Sequence, residues 1–445
     1  MSKVRINLIY ISIYKQKSYS SYNVHFQYKR DCDSMANNSN GINMLDVKKR
    51  NRSSVLKLIH TTKGISRKEI AAKLKLTPAA ITLITTDLIN EGILIETTSD
   101  QTRGKKGRKE ITLEINSKKY AAVGVYISQK KFRIVCIDLD NSIIFEDTVY
   151  TDDCHNQAVN ILDKVCDVLT AHLLDYNVLK TRQLLGIGIS ILGIVKAREG
   201  ISVTSYGIFE DNFNVTEYVQ KKLNVPVLLT NNICALAHGE SFFTRSLYPS
   251  DQLFIKYGPG VGCAKLNDPD FYSVFDYKSV ELGHLIVDPN GIPCFCGNQG
   301  CLETIVSYDA IEHSIQNLIS RSRTPKLYAL TGGKPENICM DYVMQAYDEG
   351  DPVVVTAINR TVFYLTVAIK NAVQLLNPKI VVLYGELFEN TNFKYAISNA
   401  LNKYIHTCKV TFSHFNLSLE ALGPAATIIS YFFENGGLTE SNLMA

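Results

Sequence analysis

The sequence lacks any continuous apolar run of roughly 18 residues, the length a membrane span needs, so no membrane partner is expected. It lacks the even cysteine pattern of a disulfide framework. Its 11 Cys are odd in number, and three of them crowd into positions 294, 296 and 301. In a long chain with ample apolar content, that pattern fits a reducing cytoplasm and a metal site better than secretion. An export signal is also wanting, because Ile6–Tyr14 is broken by Asn7 and Ser12 and no small-residue cleavage site follows. Short-period repeats and low-complexity core segments are missing too.

What is present excludes general disorder: 46% of the 445 residues are hydrophobic and 20% charged. At about 150 residues per domain, this length corresponds to two or three domains. The net charge of only +4 conceals an uneven distribution. Residues 1–119 carry 23 Lys and Arg against 10 Asp and Glu, a net +13, while the remaining 326 residues carry a net −9. Pruned to residues 45–119, the excess is still +9, which points to a polyanion partner at this end.

Residues 1–44 are rich in Tyr, Ser, Asn and Lys without sustained period and read as a poorly ordered extension, with a start at Met35 or Met44 compatible. Order begins near Leu45. Val55, Leu56, Leu58 and Ile59 form a helix face closed by Gly64. Ser66 and Glu69 make a capping box for a second helix, and Thr77 with Pro78 opens a third, which stops at Gly92. Strands over Ile93–Thr97 and Ile111–Ile115 follow, joined by a loop with five cations among residues 103–109. Residues 45–117 thus predict a winged helix-turn-helix. Its third helix would offer Thr77, Ala79, Thr82 and Thr85 to base edges, while Arg52, Arg67 and Lys68 meet phosphates. Arg103, Lys105, Lys106 and Arg108 in the wing suit phosphate or minor-groove contact. The alternative use of such a head is contact with a protein partner.

From 118 to 445 the texture is α/β. Strands are expected at Ala121–Tyr126, Phe132–Leu139, Ser142–Val149, Leu184–Ile191, Val227–Leu229 and Ile380–Leu383, with helices at Ala158–Leu174 and Val215–Leu223. Within this region, His284, Cys294, Cys296 and Cys301 offer four donors suited to tetrahedral Zn²⁺, and a closed set of that kind is structural. The spacing is not that of a standard finger, so buried free cysteines remain the alternative. Glu281 and Glu303 flank the cluster.

The segment from Glu281 through His284 and the three cysteines to Glu303 resembles the signature of the ROK family, which groups sugar-responsive repressors with sugar kinases. The similarity runs from about Leu45 to near the C-terminus. It implies a two-lobed, actin-like (ribonuclease H-like) ATPase-type domain after the winged head. The lobes would take approximately residues 118–235 together with the C-terminal helix, and 236–424. It implies one structural zinc on His284, Cys294, Cys296 and Cys301, and a sugar held by Asn231, Asn232, Glu281, His284 and Glu303. A histidine with one nitrogen on metal can present the other to a hydroxyl in a fixed tautomer.

Other family motifs separate the two activities. The kinases' acidic, glycine-rich first turn is here Val123–Gln129, without an acidic residue, glycine pair or Thr. Their catalytic Asp is Asn232, and an amide cannot accept the proton. Gly258–Gly262 resembles the second phosphate turn but contains Pro259, and Leu192 and Tyr384 also depart from the pattern. The expectation is a non-enzymatic, cytoplasmic, sugar-responsive repressor of the xylose- and N-acetylglucosamine-repressor branch. It would bind palindromic operator DNA as a homodimer or higher oligomer. An ATP-dependent sugar kinase is the alternative.

Overall fold

A computed structural model of the chain describes residues 44–98, 111–151, 158–205, 208–244, 251–266, 278–416 and 418–437. The chain divides into two compact units, Met1–Val47 and Lys48–Ala445. Of the first, only the opening turn of helix α1 (Met44–Thr61) is described.

The second unit begins with locally encoded structure. Helix α1 buries Val55, Leu56 and Ile59. Strand β1 (Ile65–Ser66) leads into α2 (Arg67–Leu74), where the Ser66 hydroxyl accepts from the Glu69 N–H and the Glu69 carboxylate accepts from the Ser66 N–H. Helix α3 (Pro78–Asn90) starts with Thr77 Oγ1 accepting from the Ala80 N–H at 3.2 Å and buries Ile81, Ile84 and Leu88. Strands β2 (Leu94–Thr98) and β3 (Ile111–Ile115) pair antiparallel, and β1 adds to β3, completing a winged helix-turn-helix. The two-residue β1 is too short to show a period, so only the structure reveals it. The wing tip with Arg103, Lys105, Lys106 and Arg108 lies outside the described residues.

The first lobe follows. Strands β4 (Tyr120–Ile127), β5 (Lys131–Asp138) and β6 (Ile143–Tyr150) run antiparallel. After α4 (Ala158–Asp175), β7 (Gln183–Ile191) joins β4 in parallel. Short strands β8 (Ile194–Lys196), β9 (Ile201–Thr204) and β10 (Phe213–Asn214) form a side sheet. Helix α5 (Val215–Leu223) then precedes β11 (Val227–Asn231), which is parallel to β7 and gives the order β11-β7-β4-β5-β6. Helix α6 (Asn232–Phe243) crosses to the second lobe, built from β12 (Gln252–Tyr257), β13 (Val261–Leu266) and β14 (Lys278–Val280). Next come helices α7 (Tyr308–Gln316) and α8 (Pro352–Leu376), then β15 (Ile380–Tyr384), α9 (Thr391–Tyr404) and β16 (Lys409–Phe412). The order β14-β13-β12-β15-β16 repeats the first lobe's plan of three antiparallel strands followed by two parallel ones. This duplicated plan is the actin-like fold.

Helix α8, 25 residues long with an 18-residue window of mean hydropathy 1.5, is long and apolar enough by length and composition to cross a membrane. Asn359, Arg360 and Lys370 interrupt its apolar positions, so it contains no continuous apolar run of that length. Its buried face, with Val354, Ile358, Leu365, Ile369 and Val373, forms the core of the second lobe.

The final helix, α10 (Leu419–Glu434), returns to the first lobe and lies on β4 and β7. Glycine is required there, because a Cβ at Gly124 would overlap the Ala421 carbonyl and one at Gly188 the Pro424 carbonyl. In the last turn of α10, Phe432 and Phe433 join one apolar cluster with Val55, Leu56, Ile59, Leu88 and Ile93 of the head. His238 on α6 is fully buried, 2.8 Å from the Ser430 hydroxyl of α10, and burial pushes its imidazole down to about 4. A histidine depressed from its unfolded value stabilises the fold above the unfolded value, and that contribution is lost as pH falls toward the folded one. Urea titrations should therefore show about 2 kcal/mol less stability at pH 5 than at pH 7, a slope that His238→Gln flattens.

Candidate metal centre, ligand pocket and DNA-reading face

The segment after β14 forms a tight loop. Val287 and Asp288 N–H groups donate to the Gly300 carbonyl at 2.9 and 3.2 Å, and Leu302 N–H donates to Leu285 at 2.9 Å. Gly297 and Gly300 adopt φ of +91° and +72°, which lets the chain double back. The result is convergence of His284, Cys294, Cys296 and Cys301, whose ligand atoms all lie within 4.8 Å of one another. Cys296 Sγ lies 3.6 Å from Cys301 Sγ, and Cys294 Sγ lies 3.6 Å from His284 Nδ1. Donors of a tetrahedral zinc are about 3.8 Å apart for two sulfurs and about 3.5 Å for sulfur and nitrogen, so the set fits a metal.

The other histidine nitrogen faces away from the sulfurs. His284 Nε2 is 3.9 Å from Glu303 Oε2. Burial raises the Glu303 carboxyl above its ordinary range, with His284 opposing and Glu281 adding to the rise. The Gly258–Gly262 turn seats this carboxylate. Val261 N–H bonds to it, and a Cβ at Gly260 or Gly283 would press on its oxygens. A turn that resembled a phosphate cradle in sequence therefore holds a side chain.

Around β11, the two asparagines differ. Asn231 caps α6, accepting from Ile233 and Cys234 N–H at 2.8 and 3.3 Å, and its amide donates to the Gly193 carbonyl at 2.6 Å. Its amide thus serves the local fold. Asn232 is buried and hydrogen-bonds Tyr126. Tyr384, the last residue of β15, is also buried. A groove of about 1090 Å³ runs from Glu303 and Gly260 past Phe295 to Arg360. Asn232, Glu281 and His284 do not line that groove.

On the head, Lys68, Thr77, Ala79 and Thr82 are exposed as expected. Arg52, Arg67 and Thr85 are corrected. Arg52 is buried, donating to the Gly436 carbonyl at 2.8 Å and to Glu91 at 2.8 and 2.5 Å. Thr85 is fully buried, and Arg67 is held by Thr85 Oγ1 at 2.9 Å and Glu96 at 2.8 Å. Leu83 and Thr86 complete the exposed face instead, and stepping three and four residues from Ala79 and Thr82 would have found them.

The fold and site define a class: a winged-helix head on an actin-like body with a cysteine–histidine centre. The chain belongs to the ROK family, whose profile matches residues 122–426. It is 27% identical over 348 residues to the DNA-binding transcriptional dual regulator NagC of Escherichia coli, covering 77% of this chain and 82% of that protein. It is 26% identical over 394 residues to a xylose repressor of Caldicellulosiruptor bescii, covering 86% and 96%. In structure it resembles a ROK family transcriptional regulator, a homologue of Escherichia coli MLC protein. That likeness has a TM-score of 0.74 at 23% identity, over 90% of this chain and 100% of the other. A ROK glucokinase from Streptomyces griseus, in complex with glucose and AMPPNP, matches at TM-score 0.57 and 20% identity, over 68% and 98%.

Proposed function

We propose that the protein is a sugar-responsive transcriptional repressor that binds operator DNA as a homodimer. The observation that carries this reading is a mechanical one. Helix α6 begins at Asn232 and α10 begins beside Glu420, whose carboxylate pairs with Arg133 Nε at 2.9 Å, so both helices start at the cleft. Both end against the head, where His60 of α1 packs on Phe242 and Phe433 at 5.2 and 5.0 Å. A ligand that moves the lobes thereby moves the reading head. Names of the relatives support the same reading, and the free thiols of the described residues suit a reducing cytoplasm.

Asn232, Glu281, His284 and Glu303 are the proposed sugar contacts, with Asn231 holding the α6 start in place. Carboxylates accept from adjacent hydroxyls, and the half-buried Glu303 gains most from a donor. The four-donor centre would hold zinc as a structural crosslink, fixing the ring plane of His284. Phosphoryl transfer is disfavoured because Asn232 offers no base and Tyr126 occupies the place of the acidic turn.

Titration of a sugar panel against operator-bound protein tests the reading. One sugar should change operator affinity, operator should change that sugar's affinity by the same factor, and Glu303→Gln should abolish both effects. ATP-dependent turnover of any sugar in the presence of Mg²⁺ would instead support the kinase.

A further inference from the structure

The exposed face of α3 has an unusual chemistry for a helix that reads DNA. No Lys or Arg occurs anywhere in Pro78–Asn90. Its outward residues are Ala79, Thr82, Leu83 and Thr86, with Asn90 in the last turn, and Leu83 is 64% exposed. The nearby arginines cannot supply the missing charge. Arg67 is bound to Thr85 and Glu96, and Arg52 is buried against Glu91 and Gly436. Lys68, Lys73 and Lys75 are exposed on α2 and the turn after it, the side of the motif that crosses the phosphate backbone.

In the major groove, guanine is read by Arg or Lys through O6 and N7, whereas thymine is recognised by apolar contact with its 5-methyl group. A face of one alanine, two threonines and a leucine carries methyl groups and no guanine reader. We propose that α3 reads thymine methyl groups, with Leu83 as the specificity-determining residue, so that each operator half-site presents a thymine-rich step to this helix. The inference rests on the DNA-binding reading above and names the partner's base chemistry. Thr82 supports the assignment, because its hydroxyl donates to the Pro78 carbonyl at 2.8 Å, which leaves its methyl to face outward.

The test uses the full chain. Binding sites are selected from a random duplex library, and each selected thymine is then replaced by deoxyuridine, which removes only the methyl group. A single substitution, in one half-site only, should weaken binding of the unaltered protein by about fourfold, the effect of one buried methyl group. The same substitution should have no effect on Leu83→Ala, a change at an exposed position that leaves the head's core intact. Half-sites with an essential guanine under α3, or uniform indifference to deoxyuridine, would overturn the inference while leaving DNA binding in place. Failure to select any duplex would overturn the DNA-binding reading itself, and the inference with it.

Discussion

Replacing Cys301 by Ser should reduce bound metal from about one ion per chain to near zero and weaken sugar binding by about 10- to 100-fold. Cys301 is fully buried and bridges to Ile286 across the loop, so its sulfur is fixed by backbone on both sides. A serine oxygen is a harder and less readily ionised donor and would sit short of the metal. Without the ion, three remaining donors and their partial charges would face each other with nothing to neutralise them. The loss would reach the ligand side because His284 donates to the centre through one nitrogen and faces Glu303 with the other. Glu303 itself begins two residues after Cys301, in the helical turn Glu303–Val306.

Operator binding without sugar should survive this substitution. The head's apolar cluster contains none of the loop's residues, so its folding does not depend on the centre. Cys408→Ser, at a half-buried position outside the cluster, serves as the control and should leave metal content and sugar affinity unchanged. Metal analysis of protein purified without added metal, followed by sugar-induced thermal shift, reads both effects. Full metal content in Cys301→Ser, or a metal-free chain with an unaltered melting profile, would remove the centre from the account.

Much of the head was legible in the sequence because its signals are local. The Ser66–Glu69 box, the Thr77 cap and the Gly92 stop each act within a few residues, and each appears where the spacing placed it. The five strands of the first lobe's main sheet were visible because they are mostly long and apolar, whereas the two- to four-residue strands β8, β9 and β10 of the side sheet were not. Of the second lobe's strands only β15 was read, since β14 and β16 are three and four residues long and β13 mixes glycine and lysine with its apolar positions. Long-range partners were invisible. The partner of Arg52 lies 384 residues away in Gly436, and nothing near Arg52 distinguishes a buried guanidinium from a phosphate contact. The Gly258–Gly262 turn misled for the same reason, because the carboxylate it seats is some forty residues downstream. Thr85 was misplaced by one helical step, which suffices to move a side chain from the exposed face to the core.

Arg52→Ala should therefore behave as a break in the link between body and head rather than as the loss of a phosphate contact. The two cases differ in a measurable way. A residue that neutralises a phosphate contributes about 0.9 to the slope of log K against log salt concentration. Arg52→Ala should leave that slope unchanged, whereas Lys68→Ala, at an exposed position on α2, should lower it by about that amount. In place of a salt effect, Arg52→Ala should cost about 2–3 kcal/mol of stability, because it strips a buried side chain from a carboxylate and a carbonyl together. Glu91 is 40% exposed and can recover some hydration, which keeps the figure below that of a fully buried pair. Gly436 and Gly437 are the last described residues after α10, and a Cβ at Gly437 would strike Ile93 and Leu56 of the head. Freed from Arg52, this segment would no longer report the position of α10 to the head. Sugar affinity in the absence of DNA should be retained, but its effect on operator binding should fall from the 5- to 150-fold range of ordinary allosteric coupling toward none. Arg52→Lys should not restore it, since an ammonium cannot make the paired bonds to Glu91 and the bond to Gly436 at once. Salt titration, urea unfolding and sugar titration on the same variant separate the outcomes. A reduced salt slope with intact stability and intact sugar response would return Arg52 to the DNA interface.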